Sequence, residues 1–464
     1  MISTRLSRTC LSVTIAGLML NAYFSPVLAQ DHNKSDYHYH LRFNALDKPT
    51  TGWICGGNLQ RDKFQLPTGA RWLENGSTEK AQADEICFRY QLPAKLPEKD
   101  DYFGPAKSDR VRVSSIEELI PCANSKSPIQ ADIFVETPAA FDVSLPGKKL
   151  ANNHFLLLPR PCDWSSAIIW GDIDNTSLIE NDSGNSLRVT MPKRISAEQR
   201  AKLLHWLNAG IDSLKMTHGK LPVEDIQILV FPVGPNDEIV PWGQVTRGGG
   251  DAVHLYVDET RSLETLNSDW VLVHELSHLL HPYMVGADGW LSEGIASYYQ
   301  NVLRARSGLL DKEMAWEKLD AGFRRGEKQF KPGVRLFENT RQMMRDRQYM
   351  RVYWSGAAIA MLGDVQLRQA TNGEQSLDTL LREISDCCLP TTLRKWRAED
   401  LIQRFDQISG TSIFANLYDS YVMHPSFPAL EQAYDSLGLT RQTKGLSFSR
   451  TGRDLREAIM QGMN

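Results

Sequence analysis

The chain has 464 residues, of which 42% are hydrophobic, 23% charged and 9% aromatic, and its formal net charge is −4. That is globular composition, with material for large cores in roughly two to three domains, and it contains no internal repeat, coiled coil or long low-complexity tract. No basic stripe accompanies the slightly acidic balance, which argues against nucleic acid as a partner.

Residues 1–29 read as a secretory signal peptide. Arg5 and Arg8 make the positive region, Leu11 to Leu20 the apolar run, and Val27-Leu28-Ala29 precedes the expected cut before Gln30. The run is too short for a membrane anchor, and Asn21 interrupts it. The mature chain is therefore expected to be secreted or periplasmic, without stable membrane insertion. It keeps 52 − 2 = 50 basic against 56 acidic side chains.

Cys10 leaves with the leader. Cys55, Cys87, Cys122, Cys162, Cys387 and Cys388 remain, and an even number in an exported chain suggests disulfides. Six cysteines allow fifteen connectivities. The sequential pairs Cys55 with Cys87 and Cys122 with Cys162 are the favoured guess. The adjacent Cys387 and Cys388 pair with each other or with separate partners.

Tyr37 to Phe43 alternates like a first strand, and short β-like runs continue to about residue 190, separated by Pro, Gly, Asn and Asp clusters. His38 and His40 invite a metal reading, but alternation with tyrosines fits a half-exposed strand face better. Ser196-Ala-Glu-Gln199 is a capping-box start for an amphipathic helix from Ala197 to Met216. A buried strand follows from Asp225 to Val233. Trp242 to Gly250 reads as a loop ending in Gly248-Gly249-Gly250, before a strand from Ala252 to Val257. A glycine run lets another backbone approach closely, and it lacks the lysine of a phosphate-binding loop.

Trp270 to His281 carries the motif His274-Glu275-Leu-Ser-His278. Residues i and i+4 are neighbours on a helix, so the two imidazoles can converge on one zinc ion. Glu275 stands beside them, where it can take a proton from water activated at the metal. The neighbours Val271, Leu272, Val273, Leu276, Leu279 and Leu280 imply burial, and Ser268 with Asp269 signals the helix start. A catalytic zinc takes three protein ligands and keeps one open position. Glu293, an acid on the apolar face of Trp290 to Tyr299, is the natural third ligand; His281 and Asp288 are alternatives. From 290 onward helix signals dominate, at 290–306, 311–325, 351–369, 376–385 and 398–409. Arg341 to Arg351 reads as a solvated helix face.

His274-Glu275-xx-His278 followed by Trp290-Leu-Ser-Glu293-Gly resembles the gluzincin metallopeptidases, most of all the glycyl aminopeptidase family and more distantly the aminopeptidase N family. Val352-Tyr353-Trp354-Ser355-Gly356 and Leu417-Tyr-Asp-Ser-Tyr421 extend the likeness over roughly 190–440. The spacing from His278 to Glu293 is shorter than in those families. The resemblance implies that Tyr353 is the phenol that stabilises the oxyanion. It also implies that Gly249, Gly250 and Asp251 lie where a strand binds substrate, with Asp251 as an anchor for a free amine; the favoured reading is that the strand after them, 252–257, offers its backbone to an extended peptide by edge pairing. The expected fold is α+β: a β-rich N-terminal domain (30–190), a thermolysin-like zinc peptidase domain (191–325) and an α-helical C-terminal domain (326–464). The expected function is an exported zinc-dependent peptidase, with the resemblance pointing to an aminopeptidase, one Zn2+ per chain and a peptide or protein substrate. Two alternatives are a catalytically silent exported binding protein that keeps the zinc helix as structure, and a hydrolase of some non-peptide bond.

Overall fold

The computed structural model describes residues 37–462 except 45–47, 74–79, 83, 94–109, 124–129, 181–185 and 390–394. The expected leader and its cut near Ala29 lie outside the described residues.

Strands dominate the N-terminal part. A seven-stranded sheet runs in the order Lys148–Ala151, His154–Leu157, Ala131–Glu136, His38–Arg42, Thr51–Gly56, Ile86–Gln91, Arg71–Trp72. Period-two alternation sends Tyr39, Leu41 and Phe43 inward against a three-stranded sheet that supplies Val143, Ile168 and Trp170. The opposite face carries Trp53 and the disulfide Cys55–Cys87; Cys122–Cys162 and Cys387–Cys388 are the other two disulfides. His40 stacks on Phe134, and the third member of a His38, His40, Cys55 grouping has its sulfur committed to Cys87. The strand-face reading of these histidines accounts for what they touch.

A five-stranded mixed sheet follows, in the order Ile173–Glu180, Ser186–Pro192, Ile226–Pro232, Asp251–Val257, Trp242–Thr246. The three central strands are parallel and the two outer ones antiparallel to their neighbours. Sequence reading made 242–250 a loop. Five of those residues instead form an edge strand, because Gly248 to Gly250 turn the chain back and let it pair in the register Gly243 to Leu255. Gly249 and Gly250 hold φ of 92° and 157°, which only glycine adopts without strain.

The helix Ala197–Lys215 starts at the expected capping box on Ser196 and packs on the sheet through Leu203, Trp206, Leu207 and Ile211. The HExxH helix, Val271–Ser277, packs beneath it: a Cβ at Gly210 would strike Leu272. Its start differs from expectation. Ser268 ends a separate short helix, Leu263–Ser268, and the Asp269 carboxylate accepts the Val271 N–H at 2.7 Å. The helix gives way at His278 to a 3-10 turn, His278–Leu280. Downstream come the long helices Gly289–Arg306, Lys312–Lys328 and Tyr349–Ala370, then Leu377–Cys388 and Ala398–Ser409. One apolar core runs from Leu187 to Met460 and joins them all to the sheet. Arg351 departs from the solvated-face reading: it is fully buried, donates to Val334 O at 2.6 Å and stacks over Phe330. Among the described residues no helix is long and apolar enough to cross a membrane.

Candidate metal centre

His274 comes from the middle of the HExxH helix, His278 from the 3-10 turn that follows it and Glu293 from the second turn of Gly289–Arg306. Their ligand atoms all lie within 4.8 Å of one another. Glu293 Oε2 is 3.3 Å from His274 Nε2 and 3.7 Å from His278 Nε2. A tetrahedral zinc with bonds of about 2.0–2.1 Å has ligand-to-ligand edges of roughly 3.3–3.4 Å, so this donor set fits the ion in both chemistry and spacing.

Second contacts fix the imidazoles. His274 Nδ1–H donates to Gln300 Oε1 at 2.8 Å, which leaves Nε2 as a lone-pair donor facing Glu293. His278 Nδ1 lies 3.1 Å from Ser292 Oγ. Arg247 donates to the carbonyls of His278 (2.7 Å) and His281 (3.0 Å), satisfying groups that the end of the helix leaves unpaired. His281 is buried against Ser292 and the Pro282 carbonyl, and neither it nor Asp288 joins the ligand cluster.

Glu275 is 8% exposed. Burial above all pushes its carboxyl up to about 7, His274 opposing and Glu293 adding. The edge strand is what packs over it: a Cβ at Gly243 would sit 2.6 Å from Glu275 Cγ. Burial works against a cationic His274, but the hydrogen bond and charge of Glu293, with the charge of Glu275, hold its pKa above the ordinary value. Tyr353 stacks on His274 with ring centroids 6.0 Å apart, and its hydroxyl bonds Glu293. Burial, then the charges of Glu293 and Glu275, hold this phenol protonated and so a donor.

Residues 271–358 match the family model of the M61 glycyl aminopeptidases, and the matched segment contains His274, Glu275, His278, Glu293 and Tyr353. The chain is a zinc metallopeptidase. No curated protein sequence matches this metallopeptidase. Its fold is shared with an aminopeptidase N family protein from Idiomarina loihiensis, at 15% identity and TM-score 0.62, over 88% of this chain and 79% of that one. It is also shared with an M1 zinc metallopeptidase from Deinococcus radiodurans, at 17% identity and TM-score 0.54, over 85% and 94%. A mutant of that enzyme, with a TM-score of 0.52 and 16% identity over 85% and 95%, was crystallised with a Tyr-Ser-Ala substrate.

The metallopeptidase places Gly249, Gly250 and Asp251 outside this cluster. The backbone that approaches the glycines is its own: Leu158 N–H donates to Gly249 O at 2.9 Å, and a Cβ at Gly250 would strike Gly147. Asp251 pairs with Arg247 at 3.4 Å; burial raises its carboxyl pKa and Arg247 opposes the rise. Residues missed from sequence are Gln300, Ser292 and Arg247. Gln300 sits two helical turns past Glu293, a spacing that was there to be read. Arg247 carries no local signal, because its partners lie 31 and 34 residues away. Beside His274 a cavity of about 420 Å³ opens, bounded by Trp270, Gln300 and Tyr353 among others.

Proposed function

We propose that this metallopeptidase is an exported aminopeptidase with one zinc per chain, held by His274, His278 and Glu293, in which Glu275 is the general base. The observation that carries the reading is the convergence of the three ligand atoms beside a buried carboxylate and a protonated phenol. Zinc at this site would supply a water acidified to a pKa of about 7 and a Lewis acid for the scissile carbonyl. Glu275 takes the proton of the attacking water and passes it to the leaving amine, a role suited to a carboxyl whose pKa lies near neutrality. Tyr353 donates a hydrogen bond to the oxygen that gains charge.

An extended peptide would lie along Trp242–Thr246, whose outer edge pairs with no strand in the five-stranded sheet. Gly243 sets that edge against Glu275, so the bound backbone passes the base. The strand that sequence reading favoured for this role, 252–257, has neighbours on both sides. An anchor role for Asp251 would compete with its ion pair to Arg247. Preference for a free N-terminus rests on the glycyl aminopeptidase likeness of 271–358 and on the peptide-bound Deinococcus relative.

Glu275→Gln tests the assignment. The variant is expected to retain zinc and to lose turnover by about 10²–10⁴-fold on peptides with free N-termini. Undiminished hydrolysis would remove Glu275 as the base. A zinc-loaded wild type inert toward a broad peptide pool would instead favour a silent binding protein.

A further inference from the structure

We infer that the cavity beside His274 is a carboxylate-binding subsite, which fixes the class of peptide this enzyme prefers; the inference rests on the peptidase reading above. Three cations line it: Arg304, Lys318 and Arg325. Arg304 is 2% exposed, and its Nε–H has no hydrogen-bond partner among the described residues. Its Nη2 donates to Ser268 O at 2.8 Å, a neutral acceptor. The acid whose charge reaches Arg304 is Asp269, which burial pushes up to about 6 and which is engaged with the Val271 N–H. Lys318 and Arg325 form no ion pair among the described residues. Arg325 instead has its guanidinium carbon over Trp354, 5.0 Å from the ring centroid, a contact that leaves its N–H donors to other partners.

The cavity lining holds these three cations and no acidic side chain, so its field favours an anion. A carboxylate in the cavity would meet the unpaired charges of Lys318 and Arg325 by charge-assisted hydrogen bonds, with Arg304 adding its field from behind the wall. The cavity wall includes Gln300, which holds His274, and Tyr353, so a group seated there lies next to residues of the metal centre. The carboxylate is either an acidic side chain or the free C-terminus of a short peptide.

The experiment compares Ala-Ala-Gln-amide, Ala-Ala-Glu-amide and Ala-Ala-Gln with a free carboxylate on the zinc-loaded protein. Binding is followed in stopped flow by quenching of tryptophan fluorescence, since Trp270 and Trp354 line the cavity; hydrolysis is followed in parallel. At least one of the two carboxylate peptides is expected to bind about tenfold tighter than the neutral one. Tightening by the glutamate identifies a side-chain subsite, and tightening by the free carboxylate identifies a terminus subsite. The double variant Lys318→Gln, Arg325→Gln should bring the favoured peptide down to the affinity of the neutral one. Equal binding of all three peptides, or a preference that survives the double variant, would overturn the subsite. Preference without hydrolysis would remove the peptidase reading and leave the subsite, and hydrolysis without preference would do the reverse.

Discussion

Glu293 and Gln300 divide the work of holding the metal: the first would bind it and the second aims a histidine that does. Glu293→Gln removes a negative ligand, and zinc measured after dialysis should fall well below one per chain. Gln300→Ala frees the His274 ring to rotate, and zinc affinity should weaken about 10–100-fold in a competition titration with a chromogenic chelator. If Gln300→Ala bound zinc as tightly as wild type, the tautomer argument for His274 would be wrong. Tyr353→Phe deletes one hydroxyl and no packing surface. It should lower kcat by about 10²–10³-fold with KM and zinc content kept, because the donor acts on charge that develops during the reaction. These residues were legible in the sequence where the signal was local: two histidines one turn apart, and an acid on an apolar face. They were illegible where a partner comes from elsewhere in the chain. Asp251 and Arg247 sit four residues apart, yet the service of Arg247 to the carbonyls at His278 and His281 appears only once the strand hairpin is folded.

Helix Gly289–Arg306, which carries Glu293, crosses helix Tyr349–Ala370, which carries Tyr353, at two glycines. A Cβ on Gly356 would lie 2.7 Å from Gly294 Cα and closer still to Trp290 O, and a Cβ on Gly294 would strike the Gly356 backbone. Close approach at this crossing brings the hydroxyl of Tyr353 onto Glu293. Gly356→Ala forces backbone apart from backbone and should cost about 1–3 kcal/mol, read as a lower Tm in thermal melts, with a loss of zinc affinity alongside. Both glycines stood in the sequence beside the site residues; what the sequence withheld was that they face each other. The edge strand was withheld for a related reason. Trp242–Thr246 has polar and glycine content that suits a loop, and its strand state comes from pairing with Asp251–Val257. Gly243→Val would push on Glu275 Cγ and should depress turnover more than stability.

Helix Gly289–Arg306 sits in an apolar core that reaches from Leu187 to Met460, while its second turn presents Glu293 to the HExxH helix. On the proposed assignment the ligands come from two elements of one cooperative core, so zinc would bind the folded chain and not the unfolded one, and removal of the ion should lower Tm. At an ion concentration about 1,000 times Kd the linkage is worth about 4 kcal/mol. Class and order of elements were readable from periodicity: strands first, helices after 290. The sharing of one core by the mixed sheet and the late helices was not, since period and caps report on a segment and not on its neighbours. X-ray absorption at the zinc edge tests the central claim most directly. The account requires a bound zinc with two imidazole nitrogens and only oxygens besides, at about 2.0–2.2 Å. Sulfur at about 2.3 Å, or no zinc retained by the folded protein, would contradict it.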